Sequence, residues 1–204
     1  MSSFQHWLVA AAGAACMAAV PAQAATSSVN FDDIPVPDYE LLADGYAGFH
    51  WDNWGVTVGH NDIVAGSGYE AVARDSRNVA YNAAGNLATF SRDQAFTLQS
   101  FDLAAAWNDG VNVTVTGRLG DTVVGTRSFQ LSTHAPTTFN FGWTVDSVSM
   151  VGFGGTSAGY SGNYAGTQLA FDNLTVSSPV PEPQTYVMLA LGLVGIMVFK
   201  RSRV

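Results

Sequence analysis

Between residues 28 and 176 almost every periodic stretch of the chain repeats at every second position. Val111, Val113 and Val115 alternate with Asn112, Thr114 and Thr116, the pattern of a strand with one buried face. Asn108-Asp109-Gly110 before it and Leu119-Gly120-Asp121 after it are tight-turn signals. Consecutive hairpins are therefore expected to join 95–106, 111–118 and 122–131. Phe139, Phe141, Trp143 and Val145 keep one parity and predict a further strand. No stretch of ten or more residues between the two terminal apolar segments shows a convincing period of 3.6. No repeat of fixed period is present either, which argues against a propeller or solenoid.

Three strand-like runs change phase. Phe96 and Leu98 give way to Phe101 and Leu103, Val145 to Val148 and Met150, and Leu169 and Phe171 to Leu174 and Val176. A shift of one residue is what a β-bulge produces, or a strand passing from one sheet to another. The expected fold class is all-β, an antiparallel two-sheet sandwich of the jelly-roll kind. Residues 35–53 and 152–166 read as loops, the second with six glycines in fifteen positions. Long loops at sheet ends are where binding groups gather.

The two ends differ from this middle. Trp7 to Val20 is apolar and Ala22-Gln23-Ala24 supplies a small-x-small cleavage pattern, so residues 1–24 read as a secretory signal peptide, although its first residues hold no Lys or Arg. A lipoprotein reading would use Cys16, but Gly13 stands where that motif prefers Leu. At the other end come Val180-Pro181-Glu182-Pro183-Gln184, an uncharged apolar run Thr185–Phe199, then Lys200, Arg201 and Arg203. As a helix the run would reach roughly 22 Å, short of the about 20 residues a stable span needs. The basic residues after it would stay in the cytoplasm and place the preceding domain outside. The expected organisation is a signal peptide at 1–24, a β-sandwich at 25–176, a linker with the Pro-Glu-Pro box at 177–184, and a short transmembrane helix with a basic tail at 185–204.

A Pro-Glu-Pro box (Pro181, Glu182, Pro183), a short apolar helix and a basic cluster (Lys200, Arg201, Arg203) in this order resemble the PEP-CTERM sorting signal. The resemblance implies recognition by an exosortase at the inner membrane, removal of the tail, and delivery to the cell surface or extracellular matrix in a bacterium that makes exopolysaccharide. An ordinary single-span anchor is the alternative reading.

Charge narrows the partners. From Ala25 to Val180 there are 15 acidic residues, 5 arginines and no lysine. Such a surface argues against nucleic acid, whose phosphates need Lys and Arg. The one cysteine lies inside the signal peptide, so neither a disulfide nor thiol chemistry is available to the domain. His50, His60 and His134 fit no helical zinc pair, and Asn163 stands where a Gly-x-Ser-x-Gly elbow around Ser161 needs glycine. Carboxylate pairs could serve glycoside hydrolysis, but acids scattered over an acidic surface identify no pair. Tyr46, Trp51, Asp52 and Trp54 form a better constellation, because aromatic rings stack on sugar C–H faces while carboxylates bond hydroxyls. The alternative is that Trp51 and Trp54 pack the edge of the core.

Phe31-Asp32-Asp33, Trp54-Gly55-Val56, Phe101–Trp107 and Leu169–Val176, in this order, also resemble a jelly-roll domain akin to carbohydrate-binding modules. That resemblance implies a structural Ca²⁺ near the first and last strands, where Asp32, Asp33 and Asp172 stand. The combined expectation is a non-catalytic surface or matrix protein associated with exopolysaccharide. A dedicated glycan-binding module is the alternative, with a glycoside hydrolase behind it.

Overall fold

The valine alternation at 111–115 does make a strand: Val111, Val113 and Val115 are fully buried, while Asn112, Thr114 and Thr116 lie on the opposite face. In the computed structural model, residues 25–35, 39–74, 76–160 and 164–178 are described. The expected signal peptide, the Pro-Glu-Pro box and the terminal apolar run lie outside them. Among the described residues no helix is long and apolar enough to cross a membrane.

In chain order the elements are β1 (Thr26–Val29), β2 (Tyr39–Leu41), β3 (His50–Asp52), β4 (Trp54–Val58), α1 (Gly68–Val72), β5 (Asn78–Asn82) and β6 (Ala88–Ala105). They continue with β7 (Asn108–Asp109), β8 (Val111–Leu119), β9 (Thr122–Leu131), β10 (Thr137–Phe153), β11 (Thr156–Ser157) and β12 (Leu169–Ser177). Every strand pair is antiparallel. Hydrogen bonds link ten strands, with β7 and β11 forming a separate pair.

Two layers arise because β6 and β10 each serve both. Residues 89–91 of β6 pair with β3 and residues 88–91 with 147–150 of β10, whose 147–153 segment also pairs with β8, which pairs with β9. Residues 97–105 of β6 pair with β12, which is flanked by β5 and β1, and β4 and β2 continue that layer. The register breaks of β10 against β6, between Val145 and Ser147, mark the change of layer. Phe90 of one layer meets Phe171 of the other at 5.9 Å between ring centres, and the main core lies between them. The phase changes at 98–101 and 171–174 likewise coincide with register shifts in β6 and β12, and Asn173 at the second has φ 53°.

Two expectations need correction. β8 pairs with β9 and β10, not with β6, so 95–106 and 111–118 are not a hairpin. Trp107 packs on the outer face of the β12 layer against Tyr69, whereas Val111 enters the core, so the segment between them crosses layers. The expected loop 35–53 contains β2 and β3 as well as a single 3-10 turn at Tyr46–Gly48.

The outer face of the β12 layer is also covered. Ala104, Ala106 and Ala170 face a second apolar cluster with Val64, Tyr69, Val72 and Trp107. Helix α1 is capped by Ser67, whose hydroxyl accepts from the Tyr69 N–H, and Glu70 accepts from the Gly66 N–H at 2.6 Å. It lies against β6 so closely that a Cβ on Gly68 would sit 1.8 Å from the Ala105 carbonyl oxygen. Small residues on both partners allow this approach, and it puts Tyr69 beside Trp107 at 5.2 Å.

Candidate functional site

The aspartates come first because the chain brings its first and last strands together. β1 pairs with β12, and the turn after β1 holds Phe31 at φ 62°. Asp32 Oδ1 accepts from the backbone N–H groups of Arg77 (2.6 Å) and Asn78 (3.0 Å), and its Oδ2 accepts from Asn30 Nδ2. Asp172 is fully buried; it accepts from the Ser76 hydroxyl at 2.6 Å and from the Asn173 N–H at 2.7 Å. Asp102, which pairs in register with Asp172, accepts from Asn173 Nδ2 at 2.9 Å and from the Thr138 hydroxyl. Asn30, Asp32, Ser76, Asp102, Thr138 and Asn173 share one polar cleft.

Burial pushes the Asp172 carboxyl up to about 7, and the charges of Asp32 and Asp102 add to the effect while the Ser76 and Asn173 bonds oppose it. Asp33 is not part of this group. Its Oδ1 accepts from the Tyr46 hydroxyl at 2.6 Å, on the other side of the turn. Among the described residues no three carboxylates or imidazoles gather where they could hold a metal. The oxygens are the hard donors Ca²⁺ takes, but each carboxylate is already engaged by protein donors. A cation would have to turn the Ser76 hydroxyl away from Asp172.

Trp51 and Trp54 do not form a platform. They are 7 % and 1 % exposed, with ring centres 6.1 Å apart, and Trp54 lies 4.9 Å from Phe171 in the main core. Their odd spacing would send them to opposite faces of one continuous strand. Asn53, at φ 57°, breaks the strand, so β3 and β4 enter different layers and both indoles point into the space between. Trp51 Nε1 donates to the Tyr46 carbonyl at 2.9 Å. Tyr46 is half-buried, and burial together with Asp33 raises its pKa. Asp52 stays exposed on β3, as does His50, whose pKa the adjacent Asp44 raises.

A different set of rings forms a cleft on the outer face. Tyr69 from α1, Tyr81 from β5 and Trp107 make its floor, and Tyr39 and Tyr164 stand at its sides, 42 % and 41 % exposed. Tyr39 meets Tyr81 edge-on at 5.6 Å, Tyr81 meets Tyr69 at 6.1 Å, and Tyr164 stacks on Trp107 at 4.8 Å and 23°. Gln168 and Ile63 complete a cavity of about 270 Å³. Gln168 Oε1 is buried and has no hydrogen-bond partner among the described residues. Burial keeps the Tyr69 and Tyr81 hydroxyls protonated by raising their pKa. These five aromatic residues come from five separate segments, so no local motif announces them.

The tail is read from its own residues, with the Pro-Glu-Pro box, apolar run and basic cluster in fixed order. Residues 179–203 are a PEP-CTERM protein-sorting motif. The PEP-CTERM motif takes in Pro181, Glu182, Pro183, Lys200, Arg201 and Arg203, all outside the described residues. No curated protein matches the chain in sequence. Among solved structures, the chain is similar to the arabinose-bound MgGH51 α-L-arabinofuranosidase at 14% identity and a TM-score of 0.43, over 76% of this chain and 26% of that one. A mutant of CBM29-2, a family 29 carbohydrate-binding module, is 13% identical over 76% of this chain and 92% of its own, at a TM-score of 0.36. The CBM32-1 module of a family 31 glycoside hydrolase from Clostridium perfringens is 16% identical over 56% of this chain and 86% of its own, at 0.33. The chain thus spans about a quarter of the arabinofuranosidase. The sandwich itself is shown by the pairing of β6 and β10 with strands of both layers.

Proposed function

We propose that this chain is exported, is processed by an exosortase through its PEP-CTERM motif, and works at the cell surface or in the extracellular matrix as a non-catalytic protein associated with exopolysaccharide. The observation that carries this reading is the sorting motif over residues 179–203. The acidic, lysine-free middle of the chain agrees with an exported protein that stays soluble among polysaccharides. A hydrolase is the weaker reading. The carboxyl whose pKa is raised to about 7, Asp172, is fully buried and bonded to Ser76, so it cannot reach a glycosidic oxygen. Structural calcium stays in the proposal only at Asp32 and Asp172, where it would have to displace the Ser76 hydroxyl, because Asp33 is turned to Tyr46 and no three carboxylates gather among the described residues.

The intact mass of the exported protein tests the sorting reading, measured in cells with and without their exosortase. The expected product lacks the residues after Pro183 only when the exosortase is present. Surface-exposed protein that still carries the Lys200–Val204 peptide in exosortase-containing cells would overturn it.

A further inference from the structure

We propose that the cleft between Tyr39 and Tyr164 is a saccharide-binding site selective for neutral sugar rings over uronates. The proposal rests on the reading that the domain associates with exopolysaccharide, and it names the site and the ligand class.

The shape of the cleft comes first. Its floor is made of rings held edge to face, and the Tyr164 ring stacks parallel on Trp107. Tyr164 stands partly exposed on the far side from Tyr39, so a flat ligand entering between them meets aromatic surface on more than one side. A pyranose has a face of C–H bonds that packs on such rings and a rim of hydroxyls that needs hydrogen bonds. The cleft holds both kinds of partner, apolar walls with few polar groups, as small-ligand sites do. Its volume of about 270 Å³ suits one or two sugar units of a longer chain.

The polar groups then narrow the ligand. Gln168 lines the cavity, and its Oε1 is a buried acceptor that finds no donor among the described residues. A buried unpaired acceptor costs stability, and because this oxygen packs beside Gly166, closed to solvent, a ligand hydroxyl would satisfy it only once the side chain turns toward the cleft. The amide torsion is soft, so rotation can present either the oxygen or the nitrogen to the ligand.

Charge separates neutral sugars from acidic ones. Among the described residues no charged side chain lines this cleft. A uronate carboxylate would find no Arg or Lys there, and it would approach a domain with 15 acids against 5 arginines. Desolvating an unpaired carboxylate beside aromatic rings is unfavourable, whereas a neutral hexose carries no such penalty.

Native gels of the exported protein cast with glucomannan, xyloglucan or dextran as neutral probes, and with alginate as the uronate probe, test this. The expected result is retardation by at least one neutral polymer and none by alginate. Tyr164→Ala should weaken the retarding interaction by roughly tenfold or more, and Gln168→Leu should weaken it as well. Phe153→Ala, which removes an exposed ring elsewhere, should leave it unchanged, and thermal melts of all variants should stay close to the parent. Retardation by alginate alone would overturn the selectivity. Retardation by a neutral polymer that Tyr164→Ala and Gln168→Leu leave intact would overturn the site while sparing the exopolysaccharide reading. Retardation by no polymer would remove both, and exosortase processing would still stand on the mass measurement.

Discussion

Val113 and Thr114 are neighbours in sequence and opposites in energy. Val113 is fully buried in the main core, while the Thr114 hydroxyl shares a 3.1 Å hydrogen bond with Ser128 on the outer face. Val113→Asp places an unpaired carboxylate among apolar side chains and should destabilise the domain by about 4 kcal/mol, whereas Thr114→Asp should cost less than ~1 kcal/mol. Equal losses in chemical denaturation would mean that the strand runs in the other phase. Asp172 carries a pH dependence whose sign follows from its pKa, 3.8 when unperturbed and about 7 in the folded chain. The folded state binds the proton more tightly, so its stabilising effect is full below the unfolded value. It is lost as pH rises through the window up to about 7. Melting temperature should therefore fall between pH 4 and pH 7, and Asp172→Asn should flatten that slope. Ca²⁺ added at pH 7 should recover the loss in the parent and not in Asp172→Asn if the cleft takes the ion. A melt at pH 7 unmoved by Ca²⁺ or EDTA would take calcium out of the account.

At the scale of elements, helix α1 shows how a short segment of weak propensity is held in place. Five residues are too few for a helix to persist alone, so α1 depends on its Ser67 cap and on the β6 surface beneath it. That surface is flat because Ala104, Ala106 and Ala170 are small, and Gly68 has no Cβ to strike the Ala105 carbonyl. Gly68→Ala meets backbone rather than a movable side chain, so it should lift the helix and cost about 1–3 kcal/mol. Because Tyr69 floors the aromatic cleft, near-ultraviolet circular dichroism from the Tyr69–Trp107 pair should weaken in the same variant. An unchanged spectrum and melt would show that α1 is not seated as described. Trp143 shows a similar dependence on missing side chains. Its ring lies over Gly117 and Gly125, where a Cβ on Gly125 would fall 2.6 Å from the indole. Arg127 lies over the same ring at 5.7 Å and donates to the Asn140 carbonyl at 2.8 Å, tying β9 to β10.

Across the whole molecule, local pattern and long-range contact divided the information between them. Alternation at 111–115 and the tight turn at Leu119-Gly120-Asp121 specified the β8–β9 hairpin, because a period of two and a turn are properties of a few adjacent residues. The three phase changes marked the register shifts for the same reason, since one extra residue reverses every side chain that follows. The tail motif was equally legible, being an ordered string of adjacent residues. Tertiary structure decided the rest. It gave β6 to β10 and β12 instead of β8, which no turn signal encodes. It sent Trp51 and Trp54 inward through one left-handed residue, and it placed Asp102 instead of Asp33 beside Asp172. It also assembled Tyr39, Tyr69, Tyr81, Trp107 and Tyr164 into one cleft from segments scattered along the chain. Alternation shows that a side chain faces one side of a strand, but whether that side meets core, helix or solvent depends on what the other layers cover.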